Sequence, residues 1–511
     1  MHSPELLIPA GNLEKLRTAL LYGADAVYVG VEGLSLRASS SEMSLNDLAA
    51  GVKEAHQKGV KVYAAANTFA RNADLTRAGK IIPELAANGI DALIVSEPGM
   101  LQLARRAAPQ LPVHLSTQAN TTNIEAVKFW KDQGVRRIIL ARELNLKEIG
   151  EIAAAVPDME LEIFIHGAMC MSYSGRCYLS AFRNRRSANE GDCSQPCRWE
   201  YKLYESTRPD DPLILEEDDR YSYLLSSKDL CLIEHLPDVL AAGVTSLKIE
   251  GRMKSAYYVA VVTRTYRQAL NALLHEKDEY KFRREWSDEL GTISNRGYTT
   301  GFVFAEEKIN ETNPDIKYAQ THEPAGIVLQ YDAAQKRMLI GVRNRIVAGS
   351  QIELILPNET VLIDTRILMD ENGQSRTEAH NDQRIYLPVG KKAPVLHLHR
   401  DEGDPSSHGI QGKGKAPDVI GGQIGPEELP RAVRHLKGRG GPSHRALRAW
   451  GPEGPQAQSH RRHAQGRRQR PSSPSPVSSL HPRLPLGLKA DVIEARGGAP
   501  KGPPRAFGPF Y

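Results

Sequence analysis

Gly23-Ala-Asp-Ala-Val-Tyr-Val29 closes one element and opens the next. A glycine just past a helix can take the left-handed conformation that ends the last turn. The aliphatic run behind it is too short for a helix and apolar on both faces, as a parallel strand covered by helices should be. The pattern recurs at Gly59-Val-Lys-Val-Tyr-Ala64, Gly89-Ile-Asp-Ala-Leu-Ile-Val95, Gly134-Val-Arg-Arg-Ile-Ile-Leu140 and Gly243-Val-Thr-Ser-Leu-Lys-Ile249. Leu6-Leu-Ile8, Val113-His-Leu115 and Leu161-Glu-Ile-Phe164 complete eight candidate strands. Amphipathic helical patterns follow most of them, at Leu13–Leu21, Leu45–Gln57, Met100–Ala107, Ile124–Gln133 and Leu146–Ala154. Strand and helix alternating eight times predict an α/β fold, closed as a TIM-barrel-like (β/α)8 domain over residues 1–280. An open, doubly wound sheet is the alternative.

A barrel keeps its chemistry at the C-terminal strand ends. Those ends carry Pro9–Gly11, Gly30, Glu32, Asn67, Ser96–Glu97, Ser116–Gln118 with Asn120, Arg142–Glu143, His166–Gly167 and Glu250–Arg252. Ser, Asn and Glu also start helices, so each has an ordinary explanation by itself. The whole set points to a site at the mouth. His166, Glu250, Arg252 and Lys254 are the candidates to orient substrate or move protons. Arg252 and Lys254 could hold the carboxylates of a small acid, whereas Glu250 and Arg252 could equally pair as a structural bridge.

Four of the five cysteines, Cys170, Cys177, Cys193 and Cys197, fall in one insertion, residues 167–225, after the seventh strand. Their spacing is Cys-x6-Cys, fifteen residues, then Cys-x3-Cys. Without a signal peptide or a run long enough to cross a membrane, the expected setting is the cytoplasm, where clustered thiols are metal ligands rather than disulfides. Four thiolates can hold a 4Fe-4S iron–sulfur cluster or zinc. Zinc modules usually bring Cys-x2-Cys pairs, so this spacing favours the cluster. Cys170 beside His166 could instead be a thiol–imidazole pair of a protease, but a thiolate held by a metal is no free nucleophile. His-Glu-x-x-His, Gly-x-Ser-x-Gly and Walker sequences are absent.

Two strand-like pieces, Trp199–Tyr204 and Tyr221–Leu225, read as a hairpin. Ser227 reads as the N-cap of a helix carrying Cys231 on its apolar side, and Tyr257–Leu274 as a long closing helix. Residues 281–320 read as a connecting segment. Residues 321–400 alternate in short runs broken by turns, which predicts a small all-β barrel of about five to seven strands. Residues 401–511 are rich in Gly, Pro, Arg and Ser and read as a disordered or aberrant tail, with Arg461–Arg470 as an RNA-binding arm the lesser reading. That tail holds +9 of the formal net charge of +5, leaving −4 for residues 1–400. Bulk charge therefore does not mark the body as a nucleic-acid binder.

The run Glu162–Ser180, with Cys193 and Cys197 behind it, resembles the signature of peptidase family U32. Matching segments include Pro4–Gly11, Gly23–Tyr28, His114–Asn120, Ser227–Leu230, Lys248–Ser255 and Asn295–Phe302, so the likeness runs from residue 4 to about 390. Past about Pro394 the sequence departs from the family's ending. The closest likeness is to the branch that hydroxylates the wobble uridine of tRNA without oxygen. The resemblance implies an iron–sulfur cluster on Cys170, Cys177, Cys193 and Cys197 and prephenate as hydroxyl source. It also implies tRNA, a small carboxylic acid and a homologous U32 chain as partners, and no membrane. The family name carries the rival, a collagenase-like peptidase; a non-catalytic RNA-binding partner is a third possibility.

Overall fold

The computed structural model describes residues 3–31, 34, 42–170, 172–190, 193–198, 204–205, 208–212, 227–304, 319–389 and 397–400. Glu32, the strand expected at Tyr221–Leu225 and the tail from 401 lie outside the described residues.

Eight parallel strands close on themselves. They are β1 (Glu5–Ala10), β2 (Ala26–Gly30), β3 (Lys61–Ala66), β4 (Ala92–Val95), β5 (Val113–Leu115), β6 (Arg137–Ile139), β7 (Glu160–Ala168) and, after the insertion, β11 (Ser246–Ile249). Each pairs with the next, and β11 pairs with both β7 and β1, which seals the ring. Around it stand α1 (Leu13–Tyr22), α2 (Leu45–Gln57), α3 (Asn72–Ala87), α4 (Pro98–Ala107), α5 (Ile124–Asp132), α6 (Leu146–Ala155), α8 (Leu236–Ala241) and α9 (Ala256–Glu276). The closed (β/α)8 expectation holds.

Local chemistry explains the boundaries. Asn12, Ser44, Glu97, Asn123, Asn145 and Ser255 each accept a backbone N–H at a helix start, satisfying donors that the first turn leaves open. Gly23 takes φ 95°, and the other four stop glycines are also left-handed. Among the helices of the ring, α3 is the one without a reading in the sequence, and it carries Pro83 inside it. The main core lies between ring and helices, whereas Leu7, Tyr28, Tyr63, Ile94 and Ile139 fill the barrel itself.

Three expectations change between β7 and the β domain. The insertion contains α7 (Leu179–Asn184) and a short hairpin, β8 (Tyr204–Glu205) with β9 (Arg208–Pro212). Ser227 caps no helix: Asp229–Cys231 is strand β10, antiparallel to the end of β7. The nine-residue β7 outruns β6, whose pairing ends at Glu162, so its last residues, His166 to Ala168, take β10 as a partner, with His166 also in register with Ile249 of β11. Cys231 is accordingly a strand residue, its thiol 3.8 Å from Tyr266 Oη and pushed up to about 11 by burial.

The stretch 281–320 is more than a connector. It forms α10 (Arg284–Leu290) and β12 (Tyr298–Thr299), which pairs with β10, and it buries Trp286, Leu290, Ile293 and Val303 in the barrel's core. Arg296 anchors it on buried Asp229 at 2.6 Å.

The C-terminal unit is all β: β13 (Glu323–Asp332), β14 (Arg337–Val342), β15 (Ile346–Val347), β16 (Gln351–Ile355), β17 (Thr360–Asp364), β18 (Leu368–Asp370), β19 (Ser375–Arg376), β20 (Glu378–Ala379), β21 (Arg384–Pro388) and β22 (His397–Arg400). Eight of these form one antiparallel sheet, β17-β16-β22-β13-β14-β21-β18-β19, and β15 pairs with β20. β22, past the point near Pro394 where the likeness was expected to end, sits between β13 and β16. The unit is fastened to the barrel by buried polar contacts. Tyr22 Oη donates to Ile355 O at 2.8 Å, and Arg264 on α9 donates to Leu356 O at 3.1 Å and Thr360 Oγ1 at 3.0 Å. Among the described residues no helix is long and apolar enough to cross a membrane.

Candidate functional site

The C-terminal ends of β7 and β11 meet closely. A Cβ on Gly167, whose φ is 110°, would stand 2.7 Å from Glu250 O, so only glycine lets these strand ends approach. This brings His166 and the Glu250–Lys254 turn to one side of the mouth.

His166 is buried and ringed by tyrosines. The centroids of Tyr258, Tyr266 and Tyr298 stand 5.9, 5.6 and 5.4 Å from its own, and Tyr266 Oη is 3.4 Å from its Nδ1. Burial, then the charge of Lys254, pushes its pKa down to about 3, with Glu250 opposing. His166 is therefore a neutral imidazole at pH 7. It can share a hydrogen bond, but becoming imidazolium is unfavourable there. Arg252 and Glu250 are buried, and Lys254 Nζ reaches Ser294 O at 3.2 Å over the ring of Tyr258. The tyrosines are the functional neighbours that sequence reading missed. Two come from α9, eight residues apart on one face, and Tyr298 comes from the supposed connector.

Burial of these imidazoles sets an acid limit on stability. His114 in β5 is likewise held well below its usual pKa, first by burial and then by Arg137 and Lys248. Below about pH 6.5 the unfolded chain binds protons at both residues that the fold refuses. Their stabilisation is complete above that value and is lost as pH falls toward 3. Melting temperature should decline steadily from pH 7 to 5, and less steeply in His166→Gln. A flat profile over that window would show both histidines to be protonated in the folded protein.

Across the mouth lies a crown of polar groups. Asn67 Oδ1, Gln118 Oε1, Asn120 Oδ1, Thr121 Oγ1 and Arg142 Nε are buried without a hydrogen-bond partner. They follow β3, β5 and β6, where buried polar atoms in a native fold call for a ligand or ordered water. Asn67 donates through Nδ2 to Ser116 Oγ, and the Arg142 guanidinium lies 4.0 Å from the ring centroid of Phe164.

The cysteine insertion is pinned onto this crown. Gly175 (φ 71°) lies so close to Gln118 that a Cβ would stand 2.2 Å from its carbonyl oxygen. Ser174 donates through its backbone N–H to Glu143 Oε1 at 2.7 Å and through Oγ to Oε2 at 3.0 Å. The two cysteine pairs are tied together through the loop: Ser194 N–H donates to Ser180 Oγ at 3.0 Å, and Asn189 Nδ2 to Cys177 O at 3.0 Å. Cys170 and Cys193 are exposed, Cys177 and Cys197 half-buried, and none of the four is in a disulfide. The backbone N–H of Gln195 donates to Cys193 Sγ at 3.3 Å. Such N–H···S bonds tune thiolate clusters. Among the described residues no three metal-ligating side chains are drawn into one shell. By donor chemistry and by the tethering of its two halves, the loop fits an iron–sulfur cluster.

Comparison with known proteins agrees with this layout. Residues 11–313 match peptidase family U32, and residues 320–400 match the peptidase family U32 C-terminal domain. The chain is 38% identical over 398 residues to the tRNA hydroxylation protein P1 of Bacillus subtilis, covering 76% of this chain and 92% of that protein. It is 36% identical over 431 residues to the tRNA hydroxylation protein P of Escherichia coli, covering 76% and 94%. A protein named collagenase from Porphyromonas gingivalis is 34% identical over 411 residues, covering 78% and 97%. With one family domain on the barrel and the second on the β unit, the chain belongs to peptidase family U32.

Proposed function

We propose that this chain hydroxylates tRNA, replacing the C5 hydrogen of the wobble uridine by a hydroxyl group without dioxygen. The observation that carries the proposal is the similarity to two tRNA hydroxylation proteins over 92% and 94% of their lengths. The exchange balances as a hydroxyl leaving a donor and the uridine hydrogen taking its place, so the base loses the two electrons that the donor gains. Prephenate is the proposed donor, and Arg252 and Lys254 are the cations that would hold its carboxylates. Cys170, Cys177, Cys193 and Cys197 would hold the iron–sulfur cluster, which supplies one-electron chemistry when bound. Among the orphaned side-chain oxygens of Asn67, Gln118 and Asn120, one would suit the single N3–H of a uracil ring. His166, neutral and enclosed by tyrosines, would orient a reacting group rather than carry charge. A reducing cytoplasm is the setting that the thiols require.

Mass spectrometry of tRNA nucleosides from cells with and without the gene tests this. Loss of 5-hydroxyuridine and its derivatives is expected; an unchanged profile would remove the hydroxylation reading. Unchanged nucleosides with persisting RNA crosslinks to the β unit would favour a non-catalytic RNA-binding protein instead.

A further inference from the structure

The insertion does more than carry thiols. From Ile163 to Asn189 the chain has no Asp or Glu and four arginines, Arg176, Arg183, Arg185 and Arg186. All four are exposed. Between them stand three of the large apolar side chains that the described residues leave in solvent: Tyr173 at 64%, Tyr178 at 73% and Phe182 at 72% exposure. Tyr178 and Phe182 lie four residues apart, along one side of α7, with centroids 6.5 Å apart.

Three aromatic rings exposed within ten residues are unusual for a soluble surface and mark a place of contact. The charge around them selects the partner. A stretch of chain without acids of its own and studded with guanidinium groups fits a polyanion, and flat rings between the cations fit unpaired bases, whose faces stack on them. Paired A-form RNA offers no such faces, because its bases are stacked on each other. The platform is also fixed in place, since Ser174 and Gly175 hold the loop against Glu143 and Gln118 at the barrel mouth.

We propose that residues Tyr173 to Arg186 seat an unpaired RNA loop. Tyr178 and Phe182 stack on bases that flank the reacting nucleotide, while Arg176 and Arg185 meet the neighbouring phosphates. The platform thereby presents the loop to the crown of Asn67, Gln118 and Asn120 beneath it. This deepens the tRNA reading and rests on it for the identity of the strand.

Fluorescence anisotropy of the full chain, purified anaerobically, with a short RNA stem-loop bearing a loop uridine tests the platform, using a duplex of equal length as control. Tyr178→Ala/Phe182→Ala is expected to weaken stem-loop binding about thirtyfold or more while leaving weak duplex binding alone. Arg176→Ala/Arg185→Ala should flatten the salt dependence by about 0.7 for each phosphate that is no longer neutralised. Because these side chains are exposed, the melting temperature of both variants should match wild type. If the aromatic variant binds and modifies tRNA as wild type does, the platform is wrong and the hydroxylation reading stands. If it loses stem-loop binding although deletion of the gene leaves tRNA nucleosides unchanged, the platform stands and the hydroxylation reading fails. If it loses self-association but keeps RNA binding, the face joins copies of this chain and the proposal is overturned.

Discussion

Glu162→Gln should destabilise the protein by about 3–5 kcal/mol, the usual consequence of leaving a buried cation without its partner. Glu162 is completely buried in the lower half of the barrel. Its carboxylate accepts from Lys248 Nζ at 2.7 Å, Ser246 Oγ at 3.1 Å and Arg137 Nη1 at 3.2 Å. Arg137 is held from the other side by Glu5 and Glu160. Lys248 has no such second anion in its ion pairs among the described residues. Burial already holds the Lys248 pKa below its ordinary value, Glu162 being the main influence raising it. Neutralising Glu162 removes that influence, so Lys248 must lose its proton or stay charged in a medium that solvates it poorly. Either outcome weakens the fold. Thermal melting measures it: a fall of about 10 °C is expected, given roughly 2–4 °C per kcal/mol for a domain of this size. Glu162→Gln/Lys248→Met, which removes the orphaned charge as well, should recover a large part of the loss. A single variant that melts like wild type would show the network to be solvated.

This interior network is the part of the barrel least legible in sequence. Glu162 and Lys248 sit inside apolar strands, and one chain read alone gives no sign that the two face each other across β7 and β11. The pleat decides it: Ser246 is in register with Glu162, and Lys248 with Phe164, so the Lys248 side chain shares the inward face with Glu162. By contrast the ring itself was readable, because each strand of the stop-glycine pattern follows a local helix-ending signal. The helix at Asn72–Ala87 escaped because Pro83 interrupts the expected pattern. The strand at Asp229–Cys231 escaped because its partner, the overhang of β7, lies far earlier in the chain, beyond the whole insertion. A serine before Lys-Asp-Leu reads locally as a helix start, yet Ser227 Oγ donates to Met169 O at 2.8 Å and tethers the cysteine loop. Tyrosines around His166 come from α9 and from β12, so the site was legible in its strand-end polar residues and not in its aromatic wall.

The same contrast between barrel and loop separates the two activities carried by relatives' names. A thiol protease needs one activated cysteine with a base that readily becomes imidazolium in the reaction. His166, buried and with a pKa of about 3, resists that charge. It also offers its Nδ1 to Tyr266, within the barrel wall, whereas Cys170 is exposed. A cluster, by contrast, needs four equivalent ligands. Serine in place of Cys170, Cys177, Cys193 or Cys197 should therefore give one shared phenotype. Iron should fall from about four per chain in the wild type toward zero, with loss of the cluster's visible absorbance. 5-Hydroxyuridine should disappear from tRNA when any one of these variants replaces the wild-type gene. Stability should change far less than in Glu162→Gln, because the thiols are exposed or half-buried and lie outside the barrel's packed interior. Iron assay, absorbance and nucleoside mass spectrometry on all four variants decide between the readings. If only Cys170→Ser abolishes activity, that activity is proteolysis and the protein binds no iron, then Cys170 is a nucleophile and the cluster assignment falls. If all four lose iron and hydroxylation together while the fold persists, the loop is a ligand set mounted on a barrel that stands without it.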